Sequence, residues 1–317
     1  MISRRLLRIK VLHILYAYFK TDSPSINKFE KELFHSIEKT YELYFYFLLL
    51  STELQRLEED RITLGKNKRI PTEEDLNPNT KFLDNRLINQ IKINNQLIRY
   101  LNEKGIGWAN NPEFVKSLYK LVTSNQYFHL YMESEQDSYE WDKKLLVKIY
   151  SEDVLNYEPL YQLLEEESIY WNDDVDFVIS MIIKTLKGFK APDGEDARLM
   201  PMFKNEEDRD FVKNLYRKTI LKSDDNLKLI SEYTKNWDVD RIAFMDILLM
   251  QTALAEITEF PSIPVKVTLN EYIEISKFYS TNKSSTFING ILDKIVNKLR
   301  GENKIQKQGR GLIGEFK

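Results

Sequence analysis

Apolar residues recur at three- and four-residue spacing along almost the whole chain, and the punctuation between them is sparse. That pattern predicts helices throughout, with no segment alternating at the two-residue period of a half-buried strand. The first helix spans about Ile2 to Lys20 and stops before Asp22-Ser23-Pro24. A long helix covers about Ile26 to Leu64, with Phe29, Leu33, Ile37, Tyr41, Tyr44 and Leu48 marking its stripes. After a loop around Pro71 and Pro78, further helices fit 81–103, 113–133, 141–151, 158–168 and 173–187. Gly188 to Asn205 reads as a second loop, and helices follow at 206–222, 225–235, 238–259, 268–280 and 284–300. Thr268 and Glu271 have the spacing of a capping box just after Pro261 and Pro264. In the final helix Phe287, Ile288, Ile291, Leu292, Ile295, Val296 and Leu299 make one continuous apolar stripe. Everything from Gly301 reads as a flexible, Gly-rich polar tail.

Composition supports this all-α reading: 317 residues hold only 10 glycines and 9 prolines, and 42% of positions are apolar. The length suits one large or two medium domains. The longest purely apolar run, Leu43 to Leu50, falls far short of the roughly 20 residues of a membrane helix. Arg4, Arg5 and Arg8 precede an apolar stretch, as in a signal peptide. That stretch contains His13 and two tyrosines, however, and Thr-Asp-Ser-Pro follows in place of a cleavage site. The expected location is therefore cytoplasmic.

Charge is unevenly spread. The total is −3, from 46 bases and 49 acids. Residues 1–20 carry five bases and no acid, and residues 277–317 carry nine bases against three acids. Residues 133–176 hold fourteen acids against Lys143, Lys144 and Lys148. A basic footprint over the whole molecule is excluded, whereas one basic face is not, provided the two ends meet.

Catalytic signatures are absent. There is no Cys and only three His, without metal-ligand spacing, so thiol chemistry and thiolate metal sites are excluded and no metal or cofactor is expected. Gly105-Ile106-Gly107 is a lone GxG, and Gly188 to Gly194 lacks the Lys-Ser/Thr ending of a phosphate loop. The Glu165-Glu166-Glu167 run points to different helix faces and reads as solvated surface.

Binding chemistry is better represented. On a helix, Arg4, Arg5 and Arg8 fall in one arc and Tyr16 projects from its edge. Arginines with an aromatic further along suit a nucleic-acid backbone and one stacked base, a contact of roughly 1–3 kcal/mol. The competing reading makes the arginines a solvated face and Tyr16 a core residue. Both remain open on sequence physics alone.

Specific blocks then narrow the choice. Trp237-Asp-Val-Asp-Arg241, Ala253-Leu-Ala-Glu256, Ile263-Pro-Val-Lys-Val-Thr-Leu-Asn-Glu271, Glu274-Ile-Ser-Lys277-Phe and Phe287-Ile-Asn-Gly-Ile-Leu-Asp293 resemble, in order and spacing, the NusB family of transcription antitermination factors. The arginine-rich opening with Leu15-Tyr16 is a shorter match. Together they cover about 1–20 and 205–300, under 40% of the chain. The resemblance implies a non-catalytic, all-helical RNA-binding core over 1–21 and 205–300, an extension over 22–204 and a tail over 301–317. Two assignments of 26–64 stay open: the family's second and third helices, or part of the insertion.

The resemblance further implies binding of boxA-type single-stranded RNA in ribosomal RNA leaders, jointly with the ribosomal protein NusE, in an RNA polymerase antitermination complex. Carried over by position, Arg4, Arg5, Arg8, Tyr16 and Phe287 would line the RNA surface, beside Lys283, Ser284 and Ser285. Asp240 and Asp246 match the NusE-facing surface. Lys283 stands where the family often has an acid. A competing expectation is a helical scaffold that docks proteins without touching RNA. The aromatics of the extension, such as Tyr41, Tyr44, Phe45, Tyr46, Tyr127 and Tyr131, suit either a packed core or an interface.

Overall fold

Ser3 begins the first helix by accepting a hydrogen bond from the Leu6 amide at 3.2 Å. In the computed structural model, which describes residues 2–234, 242–281 and 283–314, the described residues form helices and connecting turns with no strand. The α-helices are α1 (Arg4–Lys20), α2 (Ile26–Lys66), α3 (Glu73–Leu76), α4 (Arg86–Lys92), α5 (Asn95–Lys104), α6 (Pro112–Ser124), α7 (Gln126–Glu133) and α8 (Tyr139–Lys148). They continue with α9 (Glu158–Glu167), α10 (Val175–Gly188), α11 (Glu206–Leu221), α12 (Ser223–Tyr233), α13 (Phe244–Glu259), α14 (Val265–Tyr279) and α15 (Ser284–Gly301). The chain divides into two units, one of Glu38–Met202 and one of Ile2–Ile37 with Phe203–Lys317. No described helix is long and apolar enough to cross a membrane.

The second unit is built around α13. Leu248, Leu249, Met250, Ala253, Leu254, Ala255 and Ile257 are buried around its full circumference, which makes it a central helix and not an amphipathic surface one. Helices α1, α11, α12, α14 and α15 all pack on it. Pro264, not Thr268, stands at the N-cap of α14, and no side chain caps that end. The capping box expected from Thr268 and Glu271 is therefore absent, because both side chains are engaged with other helices.

The segment after Gly301 is packed against this unit. The Gln308 amide donates to the Pro261 carbonyl at 2.9 Å, Lys307 Nζ donates to the Phe260 carbonyl at 2.9 Å, and Ile305 packs beside Ile257, Val265 and Val296. At Gly311 a Cβ would lie 1.9 Å from the Pro261 oxygen, so only glycine permits the approach.

The first unit buries most of its aromatics. Tyr44, Phe45, Tyr46, Phe47, Phe128 and Tyr131 lie in one core, with Tyr41 and Tyr127 partly covered. Two indoles find partners there: Trp108 Nε1 donates to the Tyr46 carbonyl at 2.9 Å and Trp171 Nε1 to the Lys39 carbonyl at 2.8 Å. The single helices expected over 81–103 and 113–133 are each broken. Asn94 ends the first by capping α5, accepting from Leu97 and donating to the Ala197 carbonyl at 2.7 Å. A one-residue junction at Asn125 separates α6 from α7. After α8 the chain continues as a turn of π-helix, Ile149–Val154, which buries Ile149, Tyr150 and Val154.

Candidate functional site

The three arginines of α1 each meet a carboxylate from a different helix. Arg4 Nε donates to Asp208 of α11 at 2.8 Å. Arg5 grips Glu271 of α14 through Nε and Nη2 at 2.8 and 2.9 Å. Arg8, 3% exposed, grips the fully buried Glu256 of α13 at 2.8 and 2.7 Å. Thr268 Oγ1 and Tyr272 OH also donate to Glu256, at 2.8 and 3.2 Å, so its carboxylate accepts four hydrogen bonds. Arg4 and Arg8 both lie 5.2 Å from the Phe211 ring centroid.

The electrostatics follow from this geometry. Burial opposes the Arg8 charge, but the charge and hydrogen bonds of Glu256 outweigh it and leave the guanidinium pKa raised. Hydrogen bonds from Arg5 hold the Glu271 carboxyl below its ordinary range, against the effect of burial. Burial, reinforced by Glu256, pushes the Tyr272 phenol well up. The arginines thus join α1 to α11, α13 and α14, and Arg8 is turned inward.

A different surface opens further along α1. Tyr16, 40% exposed, meets the Phe244 ring edge-on at 5.4 Å. Lys20 Nζ lies 4.3 Å from the centroid of that same Phe244 ring. One turn back, His13 and Tyr279 pack edge-on at 5.0 Å, bringing the end of α14 to the same stretch of α1. Phe244 and Lys20 were not singled out from sequence. A lysine four residues after Tyr16 was the available signal, but nothing local reveals that Phe244 arrives beneath it.

The turn between α14 and α15 completes the surface. Asp246, 5% exposed, accepts from Ser284 Oγ at 2.8 Å and also from Ser280 Oγ. Thr281 and Ser284 hydroxyls lie 2.8 Å apart. Ser284 is consequently buried within the turn, whereas Lys283 is exposed and Ser285 and Phe287 are half-buried. Asp240 lies outside the described residues, as does the block Trp237–Arg241. The structure therefore brings Tyr16, Asp246 and Ser284 to one region, with Lys283 just before Ser284 on the chain and Ser285 and Phe287 just after it. Arg4 and Arg5 sit about 18 Å back along α1 at ~1.5 Å per residue. Among the described residues no cluster of His, Asp and Glu has the makings of a metal site.

The profile of the NusB family matches residues 180–297. A transcription antitermination protein NusB of Salinibacter ruber is 35% identical over 139 residues, covering 42% of this chain and 87% of that protein. The NusB protein of Chloroherpeton thalassium is 40% identical over 105 residues, 33% of this chain and 50% of its own. That of Natranaerobius thermophilus is 39% identical over 89 residues, 26% of this chain and 64% of its own. No solved structure matches the chain. The extent of the Salinibacter match, together with the profile, settles the kinship: this chain belongs to the NusB family, with an additional helical region beyond the shared part.

Proposed function

We infer that the chain is a non-catalytic adaptor of transcription antitermination. It binds boxA-like single-stranded RNA from ribosomal RNA leaders together with the ribosomal protein NusE, within the RNA polymerase antitermination complex. The observation that carries this reading is the exposed Tyr16 ring, braced by Phe244 under Lys20 and adjoining the hydroxyl-rich turn held by Asp246. A braced aromatic stacks on a base at little entropic cost, and neighbouring lysines meet phosphates. Lys20 and Lys283 supply those cations, Ser285 and Phe287 flank them, and Asp246 and Ser284 act beneath as struts. Arg5 is the half-exposed arginine able to exchange Glu271 for a phosphate; Arg4 and Arg8 position α1.

One feature favours a second reading. All three α1 arginines are already matched by carboxylates, which leaves fewer cations for RNA than the sequence promises. On that reading the unit is a protein-docking scaffold. Titrating a labelled boxA-like RNA with the chain, alone and with NusE, separates the two. RNA binding that tightens with NusE supports the adaptor, whereas NusE binding without any RNA binding supports the scaffold.

A further inference from the structure

The three lysines of the acidic segment 133–176 converge on one place. Lys143, Lys144 and Lys148 of α8, joined by Lys187 of α10, rim a half-open cavity of about 500 Å³ within the Glu38–Met202 unit. That volume lies in the range of small-molecule sites. Its walls are the rings of Tyr127, Tyr131 and Trp141 with Leu145 and Val147.

The polar groups around the cavity divide into engaged and available ones. The Tyr127 and Tyr131 hydroxyls donate to Asp153 and Asp142. Lys143 pairs with Glu140 and Lys148 with Glu152. Lys144 has only the Trp141 ring, 5.5 Å away, and Lys187 has no carboxylate partner among the described residues. Trp141 Nε1–H is buried without an acceptor, unlike the indoles of Trp108 and Trp171. Two ammonium groups without a carboxylate partner at the mouth of an apolar, ring-walled cavity suit an anion supplied from outside.

We propose that this cavity binds a small organic anion: an apolar aromatic or aliphatic body seated against the three rings, with a carboxylate or similar compact anionic head held by Lys144 and Lys187. The surrounding charge favours a compact head over a polyanion. Glu140 is on the rim and Glu152 is 3.5 Å from Lys148, so a nucleic-acid backbone running past the lysines meets acids. This site is separate from the proposed RNA surface and stands or falls independently of it.

Calorimetric titration of the full chain with 2-naphthoate and decanoate, against the neutral 2-naphthamide and decanol, tests the proposal. At least one acid is expected to bind, its neutral counterpart at least tenfold more weakly. Lys144→Glu with Lys187→Glu, both exposed, is expected to weaken the acid at least tenfold with an unchanged unfolding midpoint. Whether the naphthoate or the decanoate binds better identifies the body. No binding of either acid, equal binding of acid and neutral isostere, or insensitivity to the lysine substitutions overturns the proposal. So does loss, in the double-lysine variant, of binding to single-stranded RNA or to a glutamate-rich peptide, which would identify a different occupant.

Discussion

Arg8 and Glu256, 248 residues apart in sequence, form a doubly hydrogen-bonded ion pair buried between α1 and α13. Thr268 and Tyr272 complete the coordination of the same carboxylate from α14. Three helices are thereby fixed at one point, and the opening helix is joined to the C-terminal part of the chain.

Removing one partner leaves the other charged and buried. Arg8→Met or Glu256→Leu alone is expected to destabilise the chain by about 3–5 kcal/mol, whereas the double substitution recovers much of that loss. Urea unfolding of the four proteins measures the coupling. Additive losses would mean that the pair is not a coupled unit.

Acid sensitivity follows from Glu271. Its folded pKa lies below the unfolded value of about 4.3, so the stabilisation is complete above that value and is lost as pH falls through the folded pKa. Glu271→Gln is expected to lower stability near neutral pH and to flatten the fall in stability on the acid side. Stability curves of both proteins, measured by urea unfolding from about pH 6 to about pH 3, check this. Parallel acid limbs would show that the Arg5 pair contributes nothing.

Asp246 holds the α14–α15 turn from below. Asp246→Ala leaves the Ser284 hydroxyl buried without that acceptor, at a cost of about 1–3 kcal/mol. The loss is expected in the isolated chain, before any partner is added, with faster amide exchange over residues 280–285. An effect confined to partner binding would make Asp246 a contact residue instead.

Gly311 admits the close pass of the tail over Pro261. Gly311→Ala is expected to displace the segment after Gly301, and limited proteolysis should then cut at Lys304 or Lys307 well before the parent protein is cut. Equal cleavage rates would mean that the tail is not held there.

Much of the fold was legible in the chain because strong periodicity and local stop signals coincide. The opening helix, the long helix α2 and the final stripe from Ile288 to Leu299 fall close to their expected spans. Asn94 was not legible, because its role depends on a carbonyl from Ala197, over one hundred residues later. The same limit governs the site. The pattern placed Arg4, Arg5, Arg8 and Tyr16 on one helix, but burial of Arg8 is decided by Glu256, and Thr268 serves that carboxylate and not a helix end. Phe244 was unreadable for the same reason: its contact with Tyr16 exists only once α13 packs on α1.

In the proposed function Tyr16 is a braced stacking platform for RNA. Fluorescence anisotropy with a labelled boxA-like RNA, in the presence of NusE, compares the parent chain with Tyr16→Ala and Tyr16→Phe. Binding roughly 5- to 150-fold weaker is expected for Tyr16→Ala, near-parental binding for Tyr16→Phe, and unchanged stability for both. Parental RNA affinity in a folded Tyr16→Ala variant would contradict it.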